Sequence, residues 1–172
     1  MIETLFPGLS AIQNIHPMFV HFPITFFFGA LVMELVAILV HERFHFAATW
    51  MLYLAALSAV LTVTTGFLAM DQIATASGGH EAPGHEFIHI HRNWMVSVMT
   101  IGILLSIYLF WINKKKKWIS QRWGLLLGLL LMSVVLALGV ESGHRLVFEF
   151  GKGVNPKVLK VTTEGNKHDN EH

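Results

Sequence analysis

The chain has 172 residues, of which 53% are hydrophobic and 13% are charged, and its formal net charge is +1. A soluble domain has about 25% charged residues, so this composition indicates a membrane protein. Cysteine is absent, which excludes disulfides, thiolate metal ligands, iron–sulfur clusters and covalent c-type haem attachment.

Four segments are long and apolar enough to cross a bilayer, because a membrane-spanning helix needs about 20 mostly apolar residues. They run from Met18 to Val40, from Ala47 to Ala74, from Ile90 to Ile112 and from Trp123 to Val140. The sequence therefore predicts an all-α protein in which residues 1–160 form a bundle of four transmembrane helices. Residues 161–172 form a polar tail that we expect to be disordered. Four spans place both termini on the same side of the membrane, and no internal repeat is evident.

Orientation follows from the basic residues in the connections. The short connection between the third and fourth spans contains Lys114–Lys117 and Arg122, and the connection between the first two spans adds Arg43. The opposite face also carries five cations, so only the density of the lysine run favours one side as cytoplasmic. We therefore expect a bacterial inner-membrane protein with periplasmic termini. A single lysine run between apolar segments predicts no nucleic-acid partner.

Seven of the eleven histidines fall at the membrane face that holds the termini. They are His16, His21, His80, His85, His89, His91 and His144. Imidazole is a neutral nitrogen ligand near pH 7, and it binds haem iron, zinc and copper. The concentration of histidines at one face therefore predicts a bound haem or metal ion.

His21 lies about one turn inside the first span, where an imidazole must face the bundle interior or water. We therefore favour His21 as a ligand, whereas His16 is equally suited to be a ligand or a helix cap. In the third span His91 competes with His85 and His89, which are four residues apart on one helix face. This pair is typical of a two-histidine metal site, but it is also typical of a solvated, histidine-rich loop.

Glu34 lies within the first span, where a carboxylate costs about 2.5–3.5 kcal/mol on insertion scales. We expect it to be protonated, paired or turned toward a polar interior. It is either a proton-relay or quinone-site group, or a buried hydrogen-bonding partner of Thr62, Thr64 or Tyr53 on the second span. The second interpretation is preferred.

Three further residues suit a cofactor at the histidine-rich face. Gly66 leaves room for a flat or bulky group, although small residues at this position also serve ordinary helix packing. Arg92 and Arg145 are suited to bind the carboxylates of haem propionates, and interfacial anchoring is the alternative role for both.

The sequence also resembles a bacterial family of small four-helix membrane proteins that is catalogued as a domain of unknown function. The resemblance covers residues 14–155. It rests on His16-Pro17, Val20-His21-Phe22-Pro23, Thr65-Gly66, His91, the stretch from Ser142 to Phe148, and Gly151-Lys152-Gly153-Val154. The chain departs from the family pattern at the closing glycine pair, where His144 is inserted, and in its extra histidines at positions 80, 85 and 89. The resemblance favours His16, His21 and His91 as functional residues. Its members occur beside cytochrome-like domains, which implies redox work.

These observations predict a b-type haem held by His21 and His91, with Gly66 giving room to the macrocycle and Arg92 and Arg145 binding the propionates. Such a protein carries electrons from a quinol-type membrane donor to a periplasmic acceptor such as a cytochrome. We expect a subunit of a larger complex rather than a stand-alone enzyme. If His16 and His144 also bind iron, a second haem fits this face.

Two alternatives remain open. The first is a zinc or copper site built from three or more converging ligands, drawn from His16, His21, His91 and His144 with His85, His89 or Asp71. The second is a structural or assembly subunit without a cofactor.

Overall fold

A computed structural model describes residues 14–76, 83–115 and 119–154, with the side chains of residues 71–76, 115, 119 and 120 left out. A short helix, α1 (His16–Phe19), leads into α2 (His21–Leu39), which is followed by α3 (Phe44–Ala76), α4 (His85–Lys115) and α5 (Ile119–Phe148). His80, the predicted tail with His168 and His172, and the side chain of Asp71 lie outside this description.

Among the residues that the structure describes, four helical segments have the length and hydropathy of membrane spans, namely His16–Leu39, Phe44–Met70, His85–Lys114 and Gln121–Phe148. The predicted all-α bundle of four spans is thereby confirmed. The helices of the third and fourth spans, α4 and α5, extend beyond the predicted limits, because the polar residues that flank each apolar run are also helical. His85, His89 and His144 therefore lie on helices rather than in connections.

Each helix packs on its neighbours in the chain, and α2 also packs on α5, so the four spans close into a ring. The core contains large side chains such as Phe27, Leu109 and Met132. Small residues allow close approach between helices: a Cβ at Gly102 would lie 2.6 Å from the Phe27 ring. Many large apolar side chains, Leu104 and Leu131 among them, face outward. Lipid is the solvent that such a surface requires, and the chain is a multi-pass membrane protein.

The bundle has two ends. We call the end that holds α1, the start of α4 and the close of α5 the terminal end. Asn14, the first described residue, and Gly153, the last but one, both line a cavity there. We call the other the loop end, where α2 joins α3 and α4 approaches α5. Twenty residues of α3 separate His45 at the loop end from Thr65 at the terminal end. At 1.5 Å per residue this is roughly 30 Å, the thickness of a bilayer's hydrocarbon core.

The close of α5 turns the chain back over the terminal end. Gly151 adopts the left-handed region with φ 61°, which glycine enters without steric cost. The backbone N–H groups of Gly151 and Lys152 donate to the carbonyl oxygens of Val147 and Leu146, at 3.0 and 2.8 Å. These bonds satisfy carbonyl groups that the helix end leaves open. The turn brings Lys152 to the cavity at this end.

Candidate functional site

The four spans enclose a cavity of about 270 Å³ at the terminal end. Most of its wall is apolar, from side chains such as Ile24, Met95 and Leu136. Its polar lining includes Asn14, His16, Thr62, His91, Arg92 and Lys152. A mainly apolar cavity with a few converging polar groups is the usual form of a ligand site.

His16 is held in one tautomer by α3. Its Nδ1 lies 3.2 Å from the Thr65 hydroxyl oxygen, and that hydroxyl donates its own proton to the Thr62 carbonyl oxygen at 2.9 Å. Because the hydroxyl proton is engaged, the oxygen accepts from His16 Nδ1–H. The neutral ring then has its lone pair at Nε2.

His91 is held in the same way by α5. Its Nδ1 lies 2.9 Å from the Gly139 carbonyl oxygen and 3.2 Å from the Ser142 hydroxyl oxygen. Since a carbonyl oxygen only accepts, Nδ1 carries the proton and Nε2 the lone pair. The Ser142 hydroxyl donates to the same Gly139 carbonyl at 2.8 Å.

Glycine follows each of these hydroxyl residues, and each glycine accommodates an imidazole. A Cβ at Gly66 would lie 3.0 Å from Cε1 of His16, and a Cβ at Gly143 would lie 2.8 Å from Cε1 of His91. The space at Gly66 that the sequence suggested for a macrocycle is therefore occupied by the His16 ring.

The two histidines thus share one local design, which the sequence analysis missed. Each is followed after 49 or 51 residues by the hydroxyl that binds its Nδ1: the Thr65-Gly66 pair serves His16, and the Ser142-Gly143 pair serves His91. The signal in the sequence is a hydroxyl residue before glycine, about one helical hairpin after each histidine. This spacing is visible in the sequence and could have predicted both histidine–hydroxyl pairs.

His21 lies elsewhere. Its side chain is exposed, whereas His16 and His91 line the same cavity. The backbone at Val20 stays in the right-handed helical region. Five residues at about 100° each therefore rotate His21 about 140° away from His16. The structure brings His91 together with His16, and not with the predicted His21.

The remaining predicted residues divide between the cavity and the outside. Arg92 lines the cavity, and its guanidinium donates to Asn93 Oδ1 at 3.2 and 3.3 Å. Arg145 instead pairs with Glu149 at 3.0 Å and lies over the Phe87 ring at 4.2 Å. His144 is exposed and packs on Phe148, with ring centroids 4.5 Å apart.

Two further residues of the cavity, Lys152 and Asn14, are suited to bind a ligand, and the sequence did not predict either of them. Lys152 is only 7% exposed, and burial lowers the pKa of its ammonium group. Asn14 accepts from the backbone N–H of His16 at 3.1 Å, while its buried Nδ2 has no hydrogen-bond partner within the described residues. With Arg92, these groups make the cavity suited to an anionic or carbonyl-bearing ligand.

His85 and His89 form a separate pair on the first turns of α4. Their Nε2 atoms are 3.2 Å apart, and their ring centroids are 4.9 Å apart in an edge-on arrangement. Across ranges 14–76, 83–115 and 119–154, no group of three or more histidine, cysteine, aspartate or glutamate residues is placed to hold a metal ion.

A second buried polar cluster lies at the loop end, with one residue from each span. Glu34 is fully buried. Its Oε2 accepts from His45 Nδ1 at 2.7 Å, and its Oε1 accepts from Arg122 Nε at 3.2 Å. His45 Nε2 lies 3.3 Å from Asn113 Oδ1. We call these four residues the Glu34 cluster.

Two of the three expected partners of Glu34 on the second span, Thr62 and Thr64, bind elsewhere. The Thr62 hydroxyl donates to the Phe19 carbonyl oxygen at 3.1 Å, and the Thr64 hydroxyl donates to the Val60 carbonyl oxygen at 2.8 Å. Glu34 lies five residues before the end of α2, at the depth where His45 and Arg122 begin their spans. The predicted hydrogen bonds to these threonines were wrong, while a paired carboxylate is what the structure contains.

The fold and its sites define a four-span helical membrane protein with a histidine-lined cavity at one end. The chain belongs to the family described as "Predicted membrane protein (DUF2231)", whose family model matches residues 12–156. The family has no known function, and the match confirms the resemblance found over residues 14–155. No curated protein and no solved structure matches the chain.

Proposed function

We propose that this protein binds a b-type haem between His16 and His91 and carries electrons from a quinol-type membrane donor to a periplasmic acceptor. It does so as a subunit of a larger complex in the bacterial inner membrane, with its terminal end at the periplasmic face. The observation that carries the proposal is the matched pair of imidazoles. Both line one cavity, and both have Nδ1 bound to oxygen.

This arrangement would suit the binding of haem in a helix bundle. Haem in such bundles is held by histidines from facing helices. A ligating histidine almost always donates its other ring N–H to an oxygen, which fixes the tautomer and raises the basicity of the ligating nitrogen. His16 and His91 meet both conditions and come from the first and third spans. Haem, when bound, supplies one-electron redox chemistry.

The charged groups of the cavity also fit haem. Its propionates need cationic or hydrogen-bonding partners, and Arg92, Lys152 and the Nδ2 of Asn14 are the candidates that line the cavity. Arg145 is less suited than the sequence suggested, because its guanidinium is engaged by Glu149 and Phe87. The apolar side chains of the wall would pack against the flat macrocycle.

The test is a reduced-minus-oxidised visible spectrum of the detergent-purified protein, with iron analysis on the same sample. We expect a sharp b-type α-band, retained in His21→Ala and His144→Ala and lost in His16→Ala and His91→Ala. The first two variants are matched controls, because both remove an exposed histidine at the same end. Haem loss in His21→Ala with retention in His16→Ala would restore the pairing that the sequence alone predicted. A wild-type protein that takes up no added haem would refute the proposal.

The His85–His89 pair supports a second candidate function, the binding of zinc or copper. Imidazole suits both ions, and two nitrogens 3.2 Å apart are close enough to bind one ion together, with water completing the coordination. Titration with Zn²⁺ or Cu²⁺ should reveal one site that His89→Ala removes and His41→Ala, which changes an exposed histidine at the loop end, retains. Equal binding by both variants would exclude this pair.

A further inference from the structure

A second cavity, of about 820 Å³, opens at the loop end beside the Glu34 cluster. Its wall includes the aromatic side chains of Phe46, Trp50, Tyr53 and Phe110. His45 and Asn113, both members of the cluster, also line it. We call this cavity the loop-end pocket.

The buried carboxylate holds His45 at the wall of the pocket. Glu34 Oε2 accepts from His45 Nδ1–H at 2.7 Å, and Arg122 donates to the other carboxylate oxygen at 3.2 Å. His45 Nε2 lies 3.3 Å from Asn113 Oδ1, and because an amide oxygen only accepts, this ring nitrogen is the donor in that contact. The imidazole thus presents an N–H donor beside the Asn113 amide, and such a donor suits a hydroxyl or carbonyl oxygen of a ligand.

A purely structural role for the Glu34 cluster would require only some of its hydrogen bonds. The Glu34–Arg122 bond alone joins α2 to α5. His45 extends the pair to the wall of the pocket, and Asn113, whose side-chain Oδ1 lies 3.3 Å from His45 Nε2, adds a neutral polar group there. Ionisable residues inside a membrane protein mark ligand and proton sites by default.

The lining selects the class of ligand. Aromatic walls favour a flat ring, and the outward apolar surface of the spans allows a hydrocarbon tail to extend into lipid. The polar groups next to the buried carboxylate are an imidazole and a neutral amide, which suit a hydroxyl or carbonyl oxygen. Charged residues line the pocket as well, namely Glu42, Arg43 and Lys114. The Arg43 guanidinium lies over the Phe44 ring, 5.1 Å from its centroid, and the Glu42 carboxylate disfavours an anionic headgroup.

We propose that the loop-end pocket binds a quinone-type ligand, a planar ring with hydroxyl or carbonyl oxygens and an apolar tail, through His45 and Asn113. The choice of a redox-active ring rests on the proposed function, to which this adds a site for the quinol-type partner. About 30 Å of α3 separates the pocket from the histidine cavity. The proposal therefore concerns binding alone and includes no direct electron transfer between the two ends.

The test uses decylubiquinone and the full-length protein in detergent, with bound quinone measured by gel filtration and by quenching of Trp50 fluorescence. The Trp50→Phe variant identifies that quenching component. We expect saturable binding that Asn113→Leu weakens about tenfold, because loss of one hydrogen bond to a desolvated ligand has about this effect. His45→Gln should weaken it similarly, and His21→Leu, at the other end, should not change it.

The outcomes separate the two proposals. In His16→Ala, which we expect to lack haem, quinone binding should remain at the wild-type level, so failure of one proposal does not hide failure of the other. Two results would overturn the inference: unchanged binding in folded Asn113→Leu and His45→Gln proteins, or a pocket that takes up phospholipid and excludes decylubiquinone.

Discussion

The two ends of the bundle hold histidines in different chemical surroundings. At the terminal end, the hydrogen-bond partners of His16 and His91 are a hydroxyl and a carbonyl oxygen, both neutral. At the loop end, His45 binds the carboxylate of Glu34, which also binds Arg122. Neutral acceptors fix a tautomer and leave the second nitrogen to bind a ligand. A charged acceptor holds a proton on the ring and joins the helices that supply the charges.

This difference separates two histidines with neutral partners from one histidine that belongs to a cluster of charged side chains. A buried ion pair costs desolvation energy that its own attraction only partly offsets, but loss of one partner leaves a buried charge without compensation. Substitutions at the loop end should therefore mainly lower the stability of the protein, and substitutions at the terminal end should mainly lower its haem content.

The largest expected effect on stability is that of Glu34→Ala. It leaves the Arg122 guanidinium and the His45 ring buried without their carboxylate, at a cost of roughly 3–5 kcal/mol in the free energy of unfolding. Chemical unfolding in detergent measures the change. Glu42→Ala removes an exposed carboxylate near the same end and should change stability by less than about 0.5 kcal/mol. Equal effects of the two variants would show that the cluster does not hold the loop end together.

A smaller effect is expected from added methyl groups beneath the two imidazoles. In Gly66→Ala and Gly143→Ala the new Cβ would lie 3.0 and 2.8 Å from ring carbons of His16 and His91, so each ring must move. We expect overpacking costs of about 1–3 kcal/mol and reduced haem content, with Gly143→Ala the more severe. Gly124→Ala is the control, because its Cβ would meet only the hydroxyl end of Tyr108. Full haem content in all three variants would contradict the proposed positions of the rings.

Removal of the hydroxyl groups should rank next. Thr65→Val keeps the side-chain shape but removes the oxygen that accepts from His16 Nδ1–H, which should cost about 0.5–1.5 kcal/mol and shift the haem midpoint potential. Ser142→Ala should have less effect, because the Gly139 carbonyl still accepts from His91 at 2.9 Å. Thr65→Ser, which retains the hydroxyl, should restore wild-type behaviour. A larger potential shift in Ser142→Ala than in Thr65→Val would reverse our assignment of these roles.

The smallest effect concerns Lys152 and pH. Burial lowers the pKa of its ammonium group, whereas a bound carboxylate would favour the charged form. Affinity for haem should therefore be at its highest below the lowered pKa and decline a few-fold as the pH rises through it. Lys152→Met should bind haem more weakly at neutral pH and lack this alkaline decline. The same alkaline decline in both proteins would show that Lys152 does not bind a propionate.

The spans could be predicted from sequence because their cause is local. A bilayer requires about 20 apolar residues and internally satisfied backbone groups. Three of the four predicted segments lie within a helix of the structure, and the first, from Met18 to Val40, covers the end of α1 and all of α2. The sequence also placed His91 and Arg92 together at the start of the third span, and both line the cavity. The side chains that surround these two residues could not be predicted, because an apolar run does not specify which face of one helix contacts another.

Tertiary structure decided the rest. Whether His16 or His21 faces the interior depends on the rotation of the first span, which its packing on α3 sets. The partners of Glu34 include Arg122, 88 residues away in the chain, and Lys152 reaches the cavity only through the turn at Gly151. The sequence by itself determined the number of spans and the end at which the histidines gather, since hydropathy and chain order suffice for both. Which nitrogen atoms are free to bind a ligand depends on hydrogen bonds between helices distant in the chain, and only the packed bundle defines those.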